Sequence, residues 1–74
     1  MNGYMAIKAA AAARGVSVRQ VLLKAGKSES YIANAINRGS SPTTDTAAQL
    51  LGACDYVLAA MPAEDVPATA IVIN

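Results

Sequence analysis

The feature that most limits what this chain can fold into is the alternation of apolar spacing and glycine between Ser17 and Gly39. Val18, Val21, Leu22 and Ala25 recur at i, i+3, i+4 and i+7, which lines one face of an α-helix. Ile32, Ala35 and Ile36 repeat that face after Gly26. Gly26 can take the positive φ that reverses a chain at a helix end. Ser28 then stands where a hydroxyl can accept a free backbone N–H and cap the next helix, which Gly39 closes. Two short helices about a glycine turn make a helix-turn-helix unit, in which the second helix enters the major groove of DNA.

The flanks extend this pattern to four helices. From about Gly3 to Arg14 the chain is rich in Ala, the strongest helix former, with Ile7, Ala10 and secondarily Ala11 and Met5 facing inward. Gly15 stops that helix, Val16 packs inward and Ser17 caps the second. The third is expected over Ser28 to Arg38, followed by a Gly39-Ser-Ser-Pro42 loop. Thr43 is expected to cap the fourth, and Asp45 lies in its first turn, where a carboxylate suits the positive end of the helix dipole. Ala47, Leu50, Leu51 and Cys54 form the inner stripe of that helix.

After Asp55 the character changes. Tyr56 to Met61 is short and apolar, Pro62 to Pro67 is an acidic connection, and Ala68 to Asn74 is β-branched. A C-terminal β-hairpin is the expectation, with a continuation of the fourth helix through Tyr56–Met61 as the alternative. The expected fold is therefore mainly α, with a helix-turn-helix domain over residues 1–55. The hairpin over residues 56–74 would be its dimerisation element.

A chain of 74 residues is one small domain near the lower limit for an independent core. Apolar residues make up 54%, but 17 residues are Ala, so the core must be thin and a second copy could add much of the stability. Charge is segregated. Residues 1–43 hold all six bases (Lys8, Arg14, Arg19, Lys24, Lys27, Arg38) against Glu29 alone. Residues 44–74 hold Asp45, Asp55, Glu64 and Asp65 with no base. A basic half containing a helix-turn-helix suits a phosphate-contacting face.

Several function classes are disfavoured. One cysteine allows no internal disulfide and fits a reducing cytoplasm. With no His, a Cys/His zinc site within one chain is excluded. No apolar run approaches a membrane span, and the Ala-rich start lacks the form of a signal peptide. There is no glycine-rich phosphate loop, no Ser or Cys beside an evident base, and no pair of acids at metal-ligand spacing. The expectation is a non-enzyme without cofactor, metal or small-molecule substrate.

Over roughly Ile7 to Tyr56 the chain resembles the Cro/C1-type (phage repressor-like) helix-turn-helix family. The residues carrying the resemblance are Gly15-Val-Ser17, Ala25-Gly-Lys-Ser28, Ile32, Arg38-Gly39, Pro42-Thr43 and Asp45-Thr46. It departs from the family at Ala11, where Arg is frequent, and at Ile36, near a frequent Glu; the third helix is also one residue longer between glycines. The resemblance implies a lambda-repressor-like four-helix fold that reads DNA and dimerises through short C-terminal strands. Positions matching Ser28, Glu29, Ser30, Tyr31 and Asn34 face base edges and phosphates in the family. The chemistry suits them: Asn can bond adenine in a bidentate manner, Ser several bases, and Glu can accept from cytosine N4. Glu29 could equally stabilise a helix N-terminus, and capping is the first role expected of Ser28.

Arg19, Lys27, Arg38, Ser40, Ser41 and Thr43 suit phosphate contacts, which orient a protein on duplex without reading sequence. Cys54 is expected to be a small buried hydrophobe and not a reactive thiol. Val57, Leu58, Met61, Ile71, Val72 and Ile73 would form the dimer interface through paired hairpins. Together these residues predict a cytoplasmic, homodimeric, sequence-specific transcriptional regulator of double-stranded DNA, a small repressor of bacterial, phage or mobile-element type. The alternatives are a partner-binding regulator (an antitoxin or antirepressor) on the same fold, or an assembly module built on the apolar tail. Salt-dependent affinity for duplex DNA separates the first from the others.

Overall fold

The computed structural model describes residues 2–73. Met1 and Asn74, at the outer ends of the two expected segments, lie outside the described residues. Four helices follow one another: α1 (Gly3–Ala13), α2 (Val18–Lys24), α3 (Tyr31–Asn37) and α4 (Thr44–Gly52). A single 3-10 turn covers Ala63–Asp65, and there is no strand among the described residues.

Side chains begin three of the helices. The Asn2 side chain accepts the Tyr4 N–H, and Thr43 Oγ1 accepts the Thr46 N–H. At α2, Ser17 Oγ accepts from the Gln20 N–H while Gln20 Oε1 accepts from the Ser17 N–H, a reciprocal capping box. The start of α3 departs from expectation. Ser28 lies outside the helix, its carbonyl accepting the Tyr31 N–H at 3.2 Å, so Ser28 to Ser30 turn once before α3 begins. Ser30 occupies the cap position, and its side chain makes no capping bond. The third helix is consequently shorter than Ser28–Arg38.

All four helices end through one hydrogen-bonded device, in which two N–H groups beyond the helix fold back onto its last carbonyls. After α2, Gly26 N–H donates to the Leu23 carbonyl and Lys27 N–H to that of Leu22. After α3, Gly39 bonds Ile36 and Ser40 bonds Ala35. The reversal needs a residue at positive φ, and Gly26 (φ 76°) and Gly39 (φ 71°) supply it. Gly15 ends α1 in the same manner. At α4 the position belongs to Asp55, at φ 60°, with Asp55 N–H on Gly52 and Tyr56 N–H on Leu51.

The inner faces meet in one cluster. Ile7, Val21, Leu22 and Leu50 are its most completely buried large side chains, joined by Tyr4, Ala10, Ala11, Ile32, Ala35, Leu51 and Cys54. Burying each Ile or Leu contributes on the order of 1.5–3 kcal/mol. α1 packs against both α4 and α2, and its buried alanines admit the neighbouring helices closely. Tyr4 takes the inner position proposed for Met5, which is 45% exposed. Gly3 is buried against Pro42: a Cβ added there would come within 2.5 Å of the proline ring. Ala11 and Ile36 both serve the core.

The expected C-terminal β-hairpin is absent from the described residues. Residues 53–73 run as coil and turns over the helices, with Tyr56 and Ile71 packed on the core. Two local events remove the strand pairing. Ala70 N–H closes a turn on the Pro67 carbonyl, which consumes the first residues of the expected second strand, and Asp65 N–H closes another on Pro62. A lone two-stranded hairpin is marginal in water, and anchoring Tyr56 and Ile71 against existing helices buries apolar surface without needing it. The alternative extension of α4 through Tyr56–Met61 does not form either, because Asp55 reverses the chain.

Candidate nucleic-acid interface

α2, α3 and the intervening Ala25–Ser30 segment carry the residues singled out above. Val21 and Leu22 anchor α2 inward, and Ile32 and Ala35 anchor α3. Gln49 Nε2 donates to the Ala25 carbonyl at 3.1 Å and ties α4 to the end of α2. With the apolar faces committed, the remaining side chains are forced outward. On α3 and its cap this leaves Ser30, Ala33, Asn34 and Asn37 exposed at i, i+3, i+4 and i+7, a narrow stripe of three polar side chains and one methyl. Asn34 Nδ2 donates to Ser30 Oγ at 3.3 Å within it. Ala33 and Asn37 lie outside the expected base-contacting set; their signal is the same helical period, followed along the exposed face.

Of the five expected base-contacting residues, Ser30 and Asn34 belong to this stripe, and Ser28 and Glu29 lie exposed in the turn before it. Tyr31 is placed otherwise. It is half-buried, with its ring edge-on to Tyr4 (centroids 6.2 Å apart, planes at 72°), and Lys27 Nζ lies 5.1 Å from its centroid. Tyr31 thus joins α1 to α3 and leaves part of its ring exposed. Burial holds the Tyr4 hydroxyl above its ordinary pKa; the neighbouring Tyr31 adds to this, and the Arg38 charge opposes it.

The six residues expected at phosphates are dispersed around α3. Arg38 follows its last turn and is exposed, while Ser40 is half-buried beyond it. Ser41 Oγ accepts from Asn2 Nδ2 at 3.4 Å, and the Thr43 hydroxyl is engaged in capping α4, donating to Thr46 Oγ1 at 3.0 Å. Lys27 sits on Tyr31. Arg19 is paired: its Nε donates to Glu29 Oε1 at 2.6 Å across the α2–α3 connection. Their side chains are 67% and 59% exposed, so the pair contributes about 0–1 kcal/mol. A second exposed pair joins Arg14 to Asp55 at 3.5 Å.

The chain matches no protein-family model, curated protein or solved structure. No helix among the described residues is long and apolar enough to cross a membrane, and no three Cys, Asp or Glu of that set gather as a metal cage. Cys54 is buried, with Sγ donating to the Leu50 carbonyl at 3.3 Å. Burial first, then the Asp55 charge, pushes its thiol pKa up, which disfavours the nucleophilic thiolate.

The residues expected at a dimer interface divide. Ile71 packs into the core, while Val57, Leu58, Met61, Val72 and Ile73 stay exposed, Val57 at 85%. They border an apolar groove of about 480 Å³ between the tail and the helices, floored by Ala6 and Leu51.

Proposed function

We propose that this chain is a sequence-specific DNA-binding transcriptional regulator, a small cytoplasmic repressor of bacterial, phage or mobile-element type that acts as a homodimer. The observation supporting it most directly is the exposed stripe Ser30, Ala33, Asn34 and Asn37 on a helix whose other face is locked into the core. Asn34 and Asn37 offer paired donor and acceptor groups to adenine, Ser30 a hydroxyl, and Ala33 a methyl that suits thymine. Arg19 on α2, Lys27 between α2 and α3, and Arg38 just after α3 carry the positive charge that would hold phosphates. The exposed apolar tail lies in the half of the chain that has four acids and no base, so a second copy covering it would leave the basic half free for DNA.

Mobility shift on duplexes selected from random sequence tests this reading. A dimer holding several phosphates should lose about 10³-fold or more in affinity between roughly 50 and 200 mM salt. Failure to retain any duplex at low salt overturns it. The partner-binding alternative, an antitoxin or antirepressor, would then be favoured by the same exposed tail.

A further inference from the structure

Glu29 is the one acid among the first 43 residues, and it stands in the turn that leads into α3, among the basic residues proposed to face duplex. A carboxylate there repels phosphate, so the position calls for a physical reason. Stability supplies little of one, since an ion pair as exposed as Arg19–Glu29 is readily broken. What the pair does is set Glu29 in competition with phosphate for the Arg19 charge: Arg19 Nε donates to Glu29 Oε1 at 2.6 Å, engaging one edge of the guanidinium.

We propose that Glu29 is a specificity-determining residue that withholds Arg19 from duplex of the wrong sequence. The inference rests on the DNA-binding reading above. When Arg19 turns to a phosphate, Glu29 is left without its cation beside a polyanion. That state is tolerated only where a base edge offers the carboxylate a hydrogen-bond donor, which the exocyclic amine of cytosine does in the major groove. Duplex without such a donor must either leave Arg19 on Glu29 or face an uncompensated carboxylate. Selectivity gained in this way comes from penalising competitors, not from adding attraction to the right site.

The experiment compares the full chain with E29Q, R19A and the double variant on two duplexes, one selected from random sequence and one scrambled, across a salt series. Glutamine keeps the size of the side chain and removes its charge. E29Q should bind the scrambled duplex about 3–10-fold tighter, with the log affinity–log salt slope steeper by about 0.9 per subunit, as expected for one more phosphate contact. Preference for the selected duplex should fall by a similar factor. R19A should weaken both duplexes and remove most of the gain from E29Q. If the parent binds and E29Q holds scrambled duplex no tighter, the proposal is overturned and the DNA-binding reading stands. Unchanged affinity together with a lowered melting temperature would make the pair a structural tie, which also overturns it. A parent chain that binds no duplex overturns both.

Discussion

At the scale of single residues, Asp55 carries the clearest conformational cost. It holds φ 60° where the other three helices use glycine, and it keeps only a long, exposed pair with Arg14 in return. An L-residue in that region costs roughly 1–2 kcal/mol, less for Asp than for a branched side chain. Asp55→Gly should therefore stabilise the chain by up to about 1 kcal/mol, a rise of several degrees in melting temperature for a domain of this size. Asp55→Val should lower it. Thermal melts that do not rank Gly above Asp above Val would show that the Asp55 conformation does not control the end of α4.

Tyr4 and Cys54 predict a pH dependence. Both pKa values are raised in the folded chain, chiefly by burial, so the folded state holds these protons more tightly than the unfolded state. Their contribution is complete below the ordinary values, about 8.5 for Cys and 10 for Tyr, and is lost as pH climbs through the raised ones. Denaturant midpoints should fall from about pH 8.5 upward, and Tyr4→Phe with Cys54→Ala should flatten that fall.

At the scale of elements, two serines offer a direct contrast. Ser17→Ala breaks the capping box of α2 and should cost about 1 kcal/mol. Ser28→Ala removes no cap and should stay within about 0.5 kcal/mol by chemical denaturation. A large loss from Ser28→Ala would return the start of α3 to the earlier serine. On the recognition side, Asn34→Ala should cost about 1–3 kcal/mol at particular base pairs, while Arg38→Ala weakens all sequences alike. A panel of operator variants that cannot tell them apart would count against α3 as the proposed reading helix.

These contrasts also mark what the residues disclose on their own. Glycine positions, caps and apolar spacing located α1, α2 and α4, because each of those signals acts within one helical turn. The start of α3 is misplaced at Ser28, because a backbone turn closed by the Tyr31 N–H on the Ser28 carbonyl precedes the helix and no local pattern marks it. Ile71, Val72 and Ile73 suggest a strand, but β-propensity describes a fit to neighbours, and here Ile71 packs on helices while Val72 and Ile73 stay exposed. The Arg19–Glu29 pair crosses from one helix to the turn before the next, a relation that no local pattern announces.

At the scale of the whole molecule, the exposed tail should govern assembly without governing the fold. Val57→Asp and Val72→Asp place charge on surface the helices do not use, so helix content should persist while sedimentation shows loss of dimer and duplex affinity falls. Ile71→Asp is a poorer test, because Ile71 is packed against the core and its loss would disturb both. Stable dimers of the two valine variants would mean that subunits meet elsewhere.

Because every helix closes on its own last carbonyls, its boundaries are set by bonds between residues close together in the chain. No ladder among the described residues obliges distant segments to find their register first. Refolding should thus fall in the microsecond-to-millisecond range typical of domains rich in local contacts, on a chevron with straight arms. Substitutions in the 56–73 tail should leave the folding arm nearly unmoved and chiefly speed unfolding. A chain so made could reach its folded monomer before it meets a second copy, and assembly would then appear as a separate, concentration-dependent phase.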